Sequence, residues 1–576
     1  MTNYETVDVD VLVIGAGGAG LRAAIETSRL GTRTALVCKS LLGKAHTVMA
    51  EGGMAAALSN VSEGDNWQVH FRDTILGGKF LNNWKMALNH AKEAPERTNE
   101  LERWGAVFDR TKEGKIHQRA FGGHTHNRLA HVGDRTGLEM IRTLQDKGVH
   151  QGFDVFMECT VTHLFKADGR VVGALAYWRE DGRFILFRAK ATVLATGGVG
   201  KMYKVTSNSW EYTGDGHALA LNAGVELLDS EFLQFHPTGM VWPPGVKGLL
   251  VTEAVRGEGG LLRNAEGKRF MEDYDAERME LSTRDIVSKA IYNEVKEGRG
   301  TEHGGVWLDI SHKPADYIIK KLPSMYHQFK DLADVDITKK PMEIGPTMHY
   351  TMGGVRVDPD SCESSVGGLF ACGEVAGGMH GANRLGGNSL SDLLVFGKRA
   401  GETAAEVAKG IASHAAISAS EITAAQEALL KPFAAEGKET PYDVQFALQD
   451  VMQNQVGIMR NGDDLKAAIA RFPELRERAS KVRVEGSRIY NNGWHLSWDL
   501  QSMIDVAEVV ARCALEREES RGAHTRLDFP DTDTGKWQKL NTVASKRADG
   551  TIEVHTQPKP KMPDEFWALV EKKPAK

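Results

Sequence analysis

The segment VDVLVIGAGGAGLRAAIETSRLG (9–31) permits few folds. An apolar run leads into Gly15-x-Gly17-x-x-Gly20, and a helix-like stretch follows. An apolar run of this kind suits a central parallel strand buried on both faces. The first glycine permits a tight turn. Gly17, with Gly18 beside it, lets the main chain approach a pyrophosphate, and Gly20 lets helix and strand close on each other. The helix N-terminus that follows offers unpaired N–H groups and a favourable dipole for phosphates. GxGxxG alone is a weak signal. Here TRTALVCKS (32–40) supplies a second parallel strand, so the whole reads as a βαβ unit opening a doubly wound, Rossmann-like sheet that binds a dinucleotide.

One element departs from that pattern. An acid is expected about 20 residues on, against the ribose hydroxyls, yet the second strand ends Cys38-Lys39-Ser40. Ser40 is left to donate to a ribose, or Lys39 to a phosphate. This weakens an NAD reading more than an FAD one. LATGG brings Ala195 and Gly197 to the end of another apolar strand. GDG (214–216) opens a helix, with Asp215 as either its N-cap or a flavin-side ligand.

The rest of the chain divides by texture. Residues 153–194 carry short alternating runs separated by DG turns at 168–169 and 181–182, which predicts an antiparallel meander returning to the main sheet. We expect an α/β chain: an FAD-binding domain in two parts (1–235 and 350–415), an inserted capping domain (236–349), a helical domain (416–530) and a small C-terminal domain (531–576). Of the 61 glycines, 22 cluster in adjacent pairs, which points to tight turns and close ligand contacts.

Composition excludes several classes. With 71 basic and 77 acidic side chains the formal net charge is -6, which gives no support for nucleic-acid binding. The five cysteines, at 38, 159, 362, 372 and 513, form no CxxC pair, so no iron-sulfur cluster or other metal site is expected in the chain, and a reducing compartment is. No run reaches the ~18 apolar residues of a membrane span. The apolar run near the N-terminus lacks a basic region before it and is expected to be a strand rather than a signal peptide.

KAHTVMAEGG (44–53) is similar to the segment that carries the covalent flavin in succinate dehydrogenase and fumarate reductase flavoprotein subunits. The resemblance continues through FGGHTHNRLAHVGDRTG (121–137), EFLQFHPTGM (231–240), LLVTEAVRGEGG (249–260), STRDIVSKAI (282–291), PTMHYTMGGVRVD (346–358), HGANRLGGNSLSDLLVFG (380–397) and ESRGAHTRLDFP (519–530), nearly the whole chain. It implies FAD attached through His46, with Thr47, Gly52 and Gly53 beside it. It also implies Glu374 on the ribityl chain, and Ser389 and Leu390 at the isoalloxazine ring.

A dicarboxylate needs cations and fork-like donors at both ends, and arginine grips a carboxylate bidentately. Arg256, Arg284 and Arg384 sit in glycine-rich or polar settings, with His236, Thr252 and His349 as neighbouring donors. The resemblance implies that His236, Thr252, Glu253, His349 and Arg384 surround succinate or fumarate. It makes Arg284 the acid-base group, with Glu253 and Arg256 relaying its proton. Phe121 is expected over the substrate or in the core. The implied partners are an external iron-sulfur subunit, with membrane anchor subunits reached through it, placing the chain peripherally at the cytoplasmic face of the cell membrane. A tract around Arg488, His524 and Arg526 is a candidate docking face. Fumarate reduction uses the same residues in reverse. L-aspartate oxidase shares the clamp but lacks the covalent flavin, and a non-catalytic flavoprotein would have lost clamp residues.

Overall fold

In the computed structural model, which describes residues 3–571, a seven-stranded sheet forms the centre. Tyr4–Ile14 has Thr34–Val37 parallel on one side, then Asp154–Phe156. Phe184–Leu194 runs parallel on its other side, and Leu369–Ala371 pairs with the end of that strand. All four residues of Thr34–Val37 are buried, so the strand must be apolar on both faces. The chain leaves Tyr4–Ile14 through Gly15, at φ +110°, and enters the helix Gly18–Arg29. A Cβ on Gly20 would lie 1.7 Å from the Gly15 carbonyl oxygen, which is why strand and helix approach only with glycine there.

Cys159–Ala167, Arg170–Trp178 and Phe184–Leu194 form the antiparallel meander. Asp168 and Gly169 both take positive φ, as a two-residue hairpin turn matching the strand twist requires. The meander's last strand is also a parallel strand of the main sheet, so it does return there.

A four-stranded antiparallel sheet follows: Leu233–Met240, Met342–Thr351, Val306–Asp309 and Leu261–Arg263. It has its own apolar core, including Leu262, Phe270, Ile291 and Phe329. The pairing slips between His236 and Gly239, where Pro237 has no N–H for the ladder. Beyond it, the helices Pro441–Gln455, Gly462–Ser480 and Asn492–Glu516 pack on one another and on Val199, Tyr203 and Phe235. The hairpin Leu540–Lys546 with Ile552–Pro558 pairs with Leu227–Leu228, and so extends a sheet begun far earlier in the chain. Helix Asp564–Glu571 stacks Phe566 on Trp84 at 5.3 Å between ring centroids.

Two expectations are corrected here. Gly214, at φ +78°, takes the cap position before helix Asp215–Asn222, so Asp215 is the first helical residue and not the N-cap. Its carboxylate instead pairs with Lys39 at 2.5 Å. His524 and Arg526 are buried, so they offer no docking face. Arg526 donates to the carbonyls of Ala514 and Leu515, which end the long helix, and pairs with Asp528 at 2.7 Å. Arg488 alone of the three is partly exposed.

Candidate active site

At the carboxyl edge of the main sheet the glycine turn opens on a cavity of about 1340 Å³, counted to its mouth. Gly15, Gly17, Gly18, Lys39, Ser40, Ala195 and Gly197 line one part of it. His46, Thr47, His349, Glu374, Ser389 and Leu390 line another. A Cβ on Gly17 would touch only Thr47 Oγ1 and Ala45 Cβ, at 3.4 and 3.8 Å, which leaves the main chain open to a ligand. Thr196 Oγ1 and Glu211 Oε2 are buried on the cavity wall without a hydrogen-bond partner. Buried polar groups are seldom left so, and these fit the hydroxyls of FAD.

The Lys39 side chain is already engaged within the protein. Its ammonium is held by Asp215 at 2.5 Å, Asp499 at 2.8 Å and the Thr213 hydroxyl at 2.9 Å. Gly20, Gly52 and Gly53 stay out of the cavity. Gly52 accepts from Arg119 Nε at 2.8 Å, and a Cβ there would meet Phe121 at 2.9 Å.

His46 sits in a single 3-10 turn, His46–Met49. The Ser209 N–H points at its Nδ1 and the Asn208 amide at its Nε2, each at 3.3 Å. The Tyr212 ring meets it edge-on at 4.7 Å. Burial, with the nearby Lys201 charge, pushes its pKa down to about 4, so the ring is uncharged at neutral pH. The Asn208 amide also donates to the His349 carbonyl at 2.9 Å, and Ser207 Oγ lies 2.9 Å from His349 Nδ1. One loop thus holds both histidines, which sequence reasoning missed. The Glu374 carboxyl accepts from the Thr351 N–H at 3.0 Å, and burial raises its pKa to about 7.

Beyond His349 the candidate substrate residues converge. His236 and His349 lie 5.3 Å apart between ring centroids. His236 Nε2 donates to the Val251 carbonyl at 3.0 Å, which leaves Nδ1 buried without a partner. Burial and then the Arg284 charge hold both rings well below the usual imidazole range. Gln234 Oε1 accepts from Arg284 Nη1 at 3.2 Å and from Arg384 Nη2 at 3.0 Å. Gln234 was also missed, although it stands two residues before His236 on one strand and so on the same face. Arg384 donates to Ser389 Oγ at 2.6 Å and covers the Tyr350 ring at 4.3 Å. Arg284 Nε donates to Glu253 Oε2 at 3.0 Å, with the Phe121 ring 6.0 Å from its guanidinium. Thr252 precedes Glu253, and its side chain hydrogen-bonds the buried Glu51 carboxyl. Two arginines joined at one oxygen, beside two uncharged histidines, make a closed cationic site suited to a small dianion.

The FAD binding domain family model matches residues 10–390, and the model of the fumarate reductase flavoprotein C-terminal region matches 445–565. The chain belongs to the succinate dehydrogenase/fumarate reductase flavoprotein family. A fumarate reductase (CoM/CoB) subunit of Methanothermobacter marburgensis is 45% identical, over 92% of this chain and 96% of its own. The succinate dehydrogenase flavoprotein subunit of Rickettsia felis is 38% identical over 95% of each. Among solved structures, Sdh1 of Mycobacterium smegmatis in complex with UQ1 aligns with a TM-score of 0.89 at 55% identity, covering 97% of this chain and 95% of that one. An FrdA variant of E. coli quinol fumarate reductase aligns at 0.91 and 36%, covering 97% and 99%. Family membership makes this chain a flavoprotein oxidoreductase of that class, and assigns the nucleotide cavity to FAD. Among the described residues no helix is long and apolar enough to cross a membrane.

Proposed function

We propose that the chain is the catalytic flavoprotein subunit of a succinate:quinone oxidoreductase, converting succinate to fumarate and passing electrons to an iron-sulfur subunit. The observation that carries this reading is the meeting of Arg284 and Arg384 on Gln234, beside His236 and His349, where the FAD cavity ends. When bound, FAD supplies the hydride acceptor, joined in this reading to His46. An uncharged His46 keeps a nitrogen lone pair for that bond.

Arg384, His349, His236 and Thr252 hold the two carboxylates. Arg284 takes a proton from one methylene carbon while the other carbon gives up its hydride. A guanidinium carries only donors and, with a pKa above ~12, stays protonated at neutral pH, so it cannot itself take a proton. In a dry site, Arg284 would give its Nε proton to Glu253, 3.0 Å away, and the neutral guanidine so formed would take the proton from carbon as the hydride leaves. His236, Thr252, Glu253, Arg284 and His349 all come from residues 236–349, so closure of that segment over the flavin would assemble the site and exclude water. Anchor subunits, reached through the iron-sulfur partner, would hold the protein at the cytoplasmic face of the membrane.

Arg284→Ala tests the reading. We expect succinate turnover to fall by about 10²–10⁴-fold, the usual range for losing a general base, with flavin content unchanged. Near-parental turnover would remove Arg284 from the mechanism. Fumarate reduction is the second reading, favoured by the 45% identity to a fumarate reductase subunit. Rates in both directions with the native quinone decide between them.

A further inference from the structure

The helix Pro323–Ala333 has no N-cap side chain of its own. Leu322 stands at the cap position, and Pro323, the first helical residue, carries no N–H. Intrahelical bonding begins at Tyr326, which donates to the Leu322 carbonyl at 3.0 Å. The Ser324 N–H is therefore one of the orphan donors of a helix start. Elsewhere, Asn83, Thr440, Asn461 and Asn491 each cap the helix that follows them. Here the acceptor lies 190 residues away in the chain. The Ser324 N–H donates to Asp134 Oδ2 at 2.9 Å, so this carboxylate does the work of an N-cap from another part of the molecule.

The two ends of this bond belong to different packed units. Met325 and Phe329 share one apolar core with Leu262 and Ile291, and Ile291 lies on the helix Arg284–Glu294. The capped helix thus moves with Arg284. Asp134 stands just before the helix Thr136–Gln151, whose first turn rests on the turn His46–Met49. A Cβ on Gly137 would lie 2.0 Å from the Thr47 carbonyl oxygen, and the Gly137 N–H donates to the Ala50 carbonyl at 2.7 Å. Asp134 is 1% exposed, so the bond is shielded from water, but its Oδ1 has no hydrogen-bond partner. A carboxylate with one oxygen bonded holds less firmly than one with both, which suits a contact that must open to admit substrate and release product.

We infer that Asp134 is a positioning residue, which caps this helix across the boundary and so latches residues 236–349 closed. The inference rests on the reading of that segment as one that closes over the flavin. The latch fixes the core that carries Arg284 against the turn that carries His46. When the segment opens, Ser324 and Asp134 both pass to water, and when it closes the helix regains its cap.

Exchange of the Gly122 amide tests this. Its N–H donates to Glu253 Oε1 at 3.3 Å, across the same boundary but through neither partner of the latch. In the flavin-loaded protein, Asp134→Ala should speed its deuterium exchange by roughly 2–30-fold, the usual effect of deleting an N-cap side chain. Asp134→Asn keeps an acceptor oxygen and should exchange within about twofold of the parent. In the alanine variant KM for succinate should rise as the closed form becomes less populated, with kcat within about twofold because bound substrate recloses the segment. If the alanine variant loses its flavin, Asp134→Ser, too short to reach Ser324, takes its place. Faster exchange confined to residues 323–333 would make Asp134 a local helix cap and overturn the latch. So would equal acceleration in the Asn variant, or faster Gly122 exchange with KM unchanged. Saturating fumarate separates the two failures. If it slows Gly122 exchange in the parent while Asp134→Ala without it matches the parent, only the latch falls. If it slows exchange in no variant, closure over the substrate falls, and the latch with it.

Discussion

Gln234 brings two guanidinium groups to one carbonyl oxygen, 3.2 and 3.0 Å from Arg284 and Arg384. Its amide nitrogen turns back to Asn383 Oδ1 and the Arg384 carbonyl, each at 2.9 Å, so the side chain cannot swing away. Gln234→Leu keeps the volume and removes the shared acceptor. Leaving buried donors unpaired costs about 1–3 kcal/mol, and we expect kcat/KM for succinate to fall by roughly 5–150-fold in steady-state assays. This residue was legible from strand alternation, which puts it on the face of His236. Asn208 and Ser209 were not, because their roles depend on a loop whose path no periodicity encodes. Glycines were more readable, since a missing side chain acts through local sterics: Gly15 turns and Gly20 packs as their spacing predicts.

At the scale of single elements, the helix Asn388–Lys409 links site to scaffold. It begins beside Ser389 and Leu390 and runs along the nucleotide helix Gly18–Arg29. Cβ atoms on Gly397 and Gly401 would each fall 2.7 Å from a carbonyl oxygen, of Ala19 and Ala23 respectively, so the two backbones are in direct contact. In its first turns Asp392 is buried, with Oδ2 unpartnered. Burial and the neighbouring Glu374 raise its pKa to about 8, against the pull of Arg384. Unfolded, the same acid titrates near ~3.9. The folded protein therefore holds an extra proton between those values, and stability should decline as pH rises from about 4 to 8. Asp392→Asn removes that term. Thermal melts should show the variant gaining on the parent by at least about 2 °C between pH 5 and pH 8, and parallel curves would place the proton elsewhere. The DG hairpin and the βαβ opening were legible because turn chemistry and apolar runs act locally. The pairing of the C-terminal hairpin with Leu227–Leu228 was not, because two residues carry no pattern.

Across the whole molecule, buried charges tie distant segments together. Arg517, fully buried, pairs with Glu231 at 2.5 Å, Glu519 at 3.1 Å and Asp229 at 3.4 Å, while Thr542 of the C-terminal hairpin hydrogen-bonds Glu231 at 2.6 Å. Three parts of the chain meet on one guanidinium. Arg517→Met strands the carboxylates, and we expect a loss of about 3–5 kcal/mol, seen as a lower Tm of the flavin-loaded protein. Sequence reading placed the neighbouring His524 and Arg526 at the surface because charged side chains are seldom fully buried without partners. Their partners lie on other elements and are invisible along the chain.

The clamp on Lys39 carries a temporal consequence. Asp499, the acid that completes it, comes 460 residues later in the chain. At roughly 5–20 residues per second of synthesis, Asp499 is made about 20–90 s after Lys39. Until then the Lys39 ammonium stands at the cavity with Asp215 but without the second acid of its clamp. The clamp on Lys39 thus closes only after the helical region has been made, well after the rest of the cavity lining.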